Sequence, residues 1–290
     1  MGSFRQYYML TKPGIVYGNT LHFVAAGFIG VSAVSQLVSL AIATVGSAFV
    51  VAAACVVNNY FDRNIDREMA RTKTRGFATG DVSVLEGLAY AGVLGGIGSV
   101  LLWIVEPIVF ALGILGFVLY AFVYTYSKRV TPHHTLIGAV PGAIPVLAGY
   151  AAVTGMIDTT AWLLFAVIFV WQLPHFYAIS VFRRDEYART NVRQLVDEVP
   201  LSLVVKLMQA SVGLYLVTVI VFAWTALELL PGVLLVAMAI WWAWGVFSLA
   251  TRDSIVEWSR SVFRQSLVVT LMFILVAALE ASLTLVGRGV

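Results

Sequence analysis

The chain alternates long apolar stretches with short polar breaks. Nine stretches read as membrane spans, near residues 14–31, 37–59, 84–104, 107–126, 134–154, 159–180, 202–225, 229–250 and 263–286. Each approaches the roughly 20 apolar residues a helix needs to cross a bilayer. The breaks are short, so sequential spans must run antiparallel. No polar stretch is long enough for a separate soluble domain. The expectation is an all-α, polytopic membrane protein in which residues 1–290 form a single integral-membrane domain.

Composition strengthens this reading. Hydrophobic residues make up 60% of the chain and charged residues only 11%, against about 25% charged in a soluble domain. Mean hydropathy is +0.91. A net charge of +3 invites a nucleic-acid reading, but the basic residues are partitioned in another way. With nine spans, every Lys and Arg except Arg288 lies on one side or at helix ends facing it, while the opposite breaks carry Glu106, Asp158 and Glu228. That is the bias of cytoplasmic loops. It places the N-terminus and the basic loops in the cytoplasm and the C-terminus outside the cell membrane, with the lipid bilayer as surroundings and no nucleic acid as partner. The single cysteine, Cys55, sits in an apolar stretch as an inert thiol.

Polar residues concentrate where the second span ends, in N-N-Y-F-D-R-N-I-D followed by R-T-K-T-R. Asn58, Asp62 and Asp66 recur every four residues, so on a helix they share one face. Two carboxylates and an amide oxygen there suit Mg²⁺, which binds one or two carboxylates together with substrate phosphate. Arg71, Lys73 and Arg75 follow as cations for phosphate oxygens. A second concentration follows the sixth span, F-R-R-D-E-Y-A-R, with Asp185 and Glu186 adjacent and therefore facing differently. Tyr124, Lys128 and Arg129 lie in Y-T-Y-S-K-R, and Lys12 precedes the first span in T-K-P-G. Asn19, inside that span, needs a partner, either another helix or a ligand. His175 stands in W-Q-L-P-H-F, where Pro174 can kink the sixth span and turn Trp171, Gln172 and His175 toward a cavity; His22 and His133 read as packing residues.

Charge at the cytosolic boundary and apolar helices behind it match an isoprenyl diphosphate, headgroup at the mouth and tail in the bundle. Such a substrate needs no protein nucleophile. A metal ion draws charge from the leaving diphosphate, and aromatic faces such as that of Tyr124 stabilise an allylic cation.

The motifs T-K-P-G-I-V-Y-G-N (11–19), N-N-Y-F-D-R-N-I-D-R-E-M-A-R-T-K-T-R (58–75), Y-T-Y-S-K-R-V-T-P (124–132), G-A-V-P-G-A-I-P-V-L-A-G-Y-A-A-V-T-G (138–155) and W-Q-L-P-H-F (171–176) resemble those of the UbiA-type intramembrane prenyltransferases, along essentially the whole chain. The last motif is most similar to the branch that farnesylates heme. The resemblance implies nine helices around a central cavity and a transferase that moves a farnesyl group from farnesyl diphosphate to a vinyl group of heme B. It implies Mg²⁺ as cofactor on Asn58, Asp62 and Asp66, with Asp185 and Glu186 as the remnant of a second acidic motif. Diphosphate contacts would come from Lys12, Arg71, Lys73, Arg75, Lys128 and Arg129. Asp62, Asp66, Lys73 and Tyr124 would carry catalysis, and His175, Trp171, Gln172 and Asn19 would meet the acceptor. Heme-modifying or oxidase-assembly proteins would be downstream partners. Two alternatives are a family member with an aromatic quinone-precursor acceptor and a transporter or assembly factor. Clustering of ionisable groups at one interface, not mid-membrane, argues against a transporter.

Overall fold

The computed structural model describes residues 2–248 and 254–287; Arg288 and the C-terminus lie outside the described residues. The described residues are helical, without strands. In chain order the helices are α1 (Phe4–Leu10), α2 (Pro13–Gly30), α3 (Gln36–Glu68), α4 (Gly76–Thr79), α5 (Val84–Val105), α6 (Pro107–Val118), a π-helical turn (Leu119–Tyr124), α7 (Thr125–Val130), α8 (His134–Thr154), α9 (Thr159–Phe182), α10 (Arg184–Tyr187), α11 (Leu195–Glu198), α12 (Leu201–Ala226), α13 (Leu229–Phe247) and α14 (Ile255–Gly287).

Local chemistry sets the ends. Ser3 with Gln6 and Ser83 with Glu86 form capping boxes at α1 and α5. Asp158 caps α9 through Ala161 N at 3.1 Å and accepts a bond from Tyr150 Oη at 2.8 Å, joining α9 to α8. Gly155 ends α8 in the left-handed region, at φ 71°, where glycine has no steric penalty.

Among the described residues, eight helices are long and apolar enough to span a membrane: α3, α5, the continuous α6–π–α7 rod, α8, α9, α12, α13 and α14. The fold class expected from the hydrophobic pattern is thus observed, although the count of nine spans is not established. The difference lies in α2, where Asn19 and His22 dilute an 18-residue helix that nonetheless packs against α8, α3 and α14. Two boundaries also move. The helix of the second span runs on to Glu68, past the loss of apolarity at residue 59, because partners bury its polar end. The last helix begins at Ile255, before the expected residue 263.

α8 and α9 are the most buried spans, and small residues permit this. A Cβ on Gly149 of α8 would stand 2.0 Å from the Phe23 carbonyl oxygen of α2, and one on Gly98 of α5 would stand 2.6 Å from the Gly46 carbonyl oxygen of α3. Backbones approach so closely only where side chains are absent. Large apolar side chains such as Trp103, Trp224 and Trp244 point outward instead, as lipid-facing residues do. α2, α3, α6, α8, α9 and α14 surround one cavity of about 1000 Å³.

Candidate functional site

The cavity mouth is built on the C-terminal part of α3. Asn58, Asp62 and Asp66 all line it and are all buried. Asn59, one position off that face, acts as a brace: its Nδ2 donates to Leu10 O at 2.6 Å and its Oδ1 accepts from Arg75 Nη1 at 2.9 Å. The same guanidinium nitrogen reaches both oxygens of Asp66, at 2.9 and 3.0 Å. Lys128 donates to Asp62 Oδ2, and Lys12 donates to Asn58 Oδ1. Asn58 Nδ2 donates in turn to Thr125 Oγ1 at 2.5 Å.

Lys12 reaches this position by a strained route. It has φ 52°, the only positive φ at a non-glycine among the described residues. That left-handed turn between α1 and α2 is costly for a side-chain-bearing residue, and it aims the amine inward. Burial, aided by the neighbouring Arg75 cation and opposed by Asp62, holds the Lys12 ammonium down to about 8.

Two carboxylates therefore face Lys12, Arg75 and Lys128, with Arg129 also 3.9 Å from Asp62 Oδ1. This cationic surplus suits a polyanion. Asp62 Oδ1 is buried and accepts no hydrogen bond, which leaves a lone pair for a cation. A hard oxygen donor set of Asn58, Asp62 and Asp66 with one uncommitted carboxylate oxygen fits Mg²⁺. No cluster of three or more His, Cys, Asp and Glu side chains occurs among the described residues, so a bound ion would complete its shell with the Asn58 amide, water or phosphate oxygens.

The π-helical turn shapes the next part of the wall. Thr125 Oγ1 donates to Tyr120 O, five residues earlier, at 3.0 Å. The widened turn stacks Tyr120 on Tyr124 at 5.5 Å between centroids, and both line the cavity. Lys128 Nζ lies 4.9 Å from the centre of the Tyr124 ring. π-helical insertions recur at functional sites.

Deeper in, α9 presents Trp171, Gln172 and His175 to the cavity. Pro174 lies within α9 without ending it. Trp171 stacks on His175 at 4.9 Å and meets His22 edge-on at 5.3 Å. Its indole nitrogen donates to Ser266 O at 3.0 Å. Gln172 Nε2 donates to Ala139 O and Ile168 O, both at 3.1 Å, and so ties α9 to α8. Asn19 lines the cavity, with its amide nitrogen committed to Ile15 O at 2.8 Å.

Arg71 is at the cavity wall, whereas Lys73 is exposed and outside the lining. Arg129 also lies outside it and donates to Phe61 O at 2.6 Å. Asp185 and Glu186 border a smaller pocket with Phe182, Arg183 and Arg260. Glu186 pairs with Arg183 at 2.8 Å and accepts from Arg71 N at 3.4 Å; Asp185 is exposed. Sequence reasoning missed Arg260 and Arg264 on α14 and Tyr120, which line the cavity, and read His22 as packing although it lines the cavity too. The spacing of the two arginines, four residues apart at the start of a span, was the available signal.

Three comparisons bear on this geometry. The model of the UbiA prenyltransferase family matches residues 20–280. The protoheme IX farnesyltransferase of Aliivibrio salmonicida is 37% identical over 288 residues, covering 96% of this chain and 97% of that one. Its counterpart from Citrobacter koseri is 39% identical over 280 residues, covering 91% and 90%. Among solved structures, a UbiA homolog from Archaeoglobus fulgidus bound to GPP and Mg²⁺ superposes with a TM-score of 0.67 at 14% identity, covering 94% of this chain and 99% of that one.

Proposed function

Because the chain belongs to the UbiA prenyltransferase family, we propose that it transfers the farnesyl group of farnesyl diphosphate to a vinyl group of heme B, giving heme O. The observation that carries this is the cavity itself: a buried cluster of carboxylates and cations at the mouth, apolar side chains behind it, and an aromatic–histidine wall on α9 and α14. Relatives named protoheme IX farnesyltransferase, aligned over nearly the whole chain, support the choice of acceptor.

The diphosphate binds among Lys12, Arg71, Arg75 and Lys128. The isoprenoid tail follows Val50, Ala54, Leu112, Phe117 and Ile144, all on the cavity wall. Asn58, Asp62 and Asp66 would hold Mg²⁺, which when bound supplies positive charge to the leaving diphosphate; the Mg²⁺ of the Archaeoglobus homolog supports this. As the allylic C–O bond breaks, Lys128 and Arg75 take up charge on the phosphate oxygens. The stacked faces of Tyr120 and Tyr124 lie against the allylic cation and keep water from it. The terminal carbon of the heme vinyl group then forms the new C–C bond. Water adds to the resulting cation beside the ring and loses a proton, leaving the hydroxyl. Trp171 and His175 hold the porphyrin, while Gln172 acts from behind by fixing α9 against α8.

The whole described chain works as one membrane unit, with the site end facing the cytoplasm. The asymmetry of Lys and Arg supports that orientation.

Purified protein incubated with farnesyl diphosphate, heme B and Mg²⁺ tests the proposal. The expected product has the mass of heme B plus one farnesyl group and one hydroxyl, with one diphosphate released per product. Diphosphate release with an aromatic acid prenylated instead would replace the acceptor; release with no acceptor at all would overturn transferase action.

A further inference from the structure

α14 turns one face to the cavity. From mouth to depth that face carries Arg260, Phe263, Arg264 and Leu267. Phe263 meets the His175 ring at 4.8 Å. Ser266, one turn below Phe263, bonds His175: its Oγ lies 2.7 Å from Nδ1. The Ser266 hydroxyl has one proton and donates it to Phe263 O at 2.6 Å. Toward His175 it must therefore accept, so the imidazole carries its proton on Nδ1. This leaves the Nε2 lone pair free, the form in which a histidine meets a metal ion.

Arg260 and Arg264 stand above this histidine. They are four residues apart, on one face and one turn from each other. Both are exposed on the cavity wall, and neither forms an ion pair with a described carboxylate. Asp185 and Glu186 border the adjoining pocket with Arg260, but Glu186 is paired with Arg183 at 2.8 Å. The carboxylates of the α3 cluster are already matched by Lys128 and Arg75. The α14 arginines are thus a second cationic group, on a helix that carries none of the diphosphate cluster. From Arg260 to Ser266 is six residues, about 9 Å along the helix axis. This is comparable to the span from the centre of a porphyrin to its carboxylate arms.

We propose that Arg260 and Arg264 bind the two propionate carboxylates of the acceptor, with Ser266 as a positioning residue that holds the His175 tautomer facing the iron. This rests on heme B being the acceptor, and it adds which edge of the porphyrin points to the cytoplasm. Propionates at the mouth orient the opposite, vinyl-bearing edge into the cavity.

The test is a titration of the purified full chain in nanodiscs, followed by heme absorbance, with two probes: heme B and its dimethyl ester, which lacks the carboxylate charge. Arg260→Gln/Arg264→Gln should weaken heme B binding about tenfold or more, the worth of a single charge-assisted contact. The same variant should bind the ester as the wild type does, and its KM for farnesyl diphosphate should not change. Ser266→Ala should leave affinity largely intact but alter the ferric heme spectrum, and Ser266→Thr should restore it. Heme B affinity within twofold of wild type in the double arginine variant would overturn the propionate assignment. So would a raised KM for farnesyl diphosphate with heme binding intact, which would give the arginines to the other substrate. An unaltered spectrum in Ser266→Ala would remove the tautomer role. A wild type that neither binds nor farnesylates heme would sink the acceptor itself, a result distinct from a wild type that makes heme O with arginines that do not matter.

Discussion

Asp62→Asn isolates the charge at the centre of the α3 cluster while keeping the side chain's shape. Asp62 is 4% exposed and Lys128 9%, so the contact between them is a buried ion pair. Removing one partner of such a pair outright costs about 3–5 kcal/mol. The asparagine keeps an oxygen for Lys128 Nζ, which reduces the loss to about 1–3 kcal/mol, the scale of an imperfectly satisfied buried group. The protein should therefore fold, insert and purify as a single species. Catalysis should suffer far more. Oδ1 of Asp62 is the buried carboxylate oxygen without a hydrogen bond, and the amide supplies no anion there. Losing one preorganised electrostatic contact at a centre of developing charge costs on the order of 10²–10³ in kcat. Diphosphate release and heme O mass should both fall by that factor, and the Mg²⁺ concentration for half-maximal rate should rise. Asp185→Asn, at an exposed side chain outside the main cavity, is the control and should stay within about twofold of wild type, as surface changes do. Turnover in Asp62→Asn within threefold of wild type would refute the assignment of the metal and leaving-group site to α3.

Three further outcomes are expected. Tyr124→Phe should keep most activity because the ring persists beside Lys128, whereas Tyr124→Leu should lose about tenfold or more in kcat with little change in KM; equal rates in the two variants would exclude a role for the ring. His175→Ala should weaken heme B binding in an absorbance titration while leaving farnesyl diphosphate binding unchanged, and the reverse pattern would move the acceptor off α9. In whole cells, a membrane-impermeant thiol reagent should label Met156→Cys but not Ser254→Cys, with the buried Cys55 giving no background; the opposite pattern would invert the orientation.

Spacing makes the acid motif legible in the sequence. Asn58, Asp62 and Asp66 are one face of any helix, and α3 sets them along one cavity wall. The helix boundary was harder to read. Apolarity stops near residue 59, yet α3 continues for two more turns because Lys128 and Thr125, distant in sequence, and Arg75, on the loop that follows the helix, satisfy its polar end. Lys12 was recognisable as a cation near the first span, but not as a residue forced into the left-handed region. That conformation turns the chain between α1, which packs on α3 and α4, and Pro13 at the start of α2. Arg260 and Arg264 entered the reading only as part of a charge bias, since periodicity cannot tell which face of a span meets a cavity and which meets lipid. Asn19 read as a binding group because a buried amide needs a partner, and Gln172 because Pro174 could turn it toward a cavity; both found much of their bonding in backbone carbonyls.

The π-helical turn at Leu119–Tyr124 has a consequence for which changes the site tolerates. A π turn holds one more residue than an α turn of the same rise. The extra position is absorbed inside the turn, so Thr125 and Lys128 keep the bearing that an uninterrupted α-helix one residue shorter would give them. Deleting Val123, an exposed residue, would let the turn close to α geometry and leave Lys128 beside Asp62. What it would change is the wall: Tyr120 and Tyr124, now stacked, would stand three positions apart instead of four, and the bond from Thr125 to Tyr120 O would lose its five-residue reach. A residue lost from the α segment between the turn and Lys128 has no such sink and would rotate Lys128 by about 100°, away from Asp62. The ion pair is thus encoded by residue count outside the turn, and the aromatic wall by residue count within it.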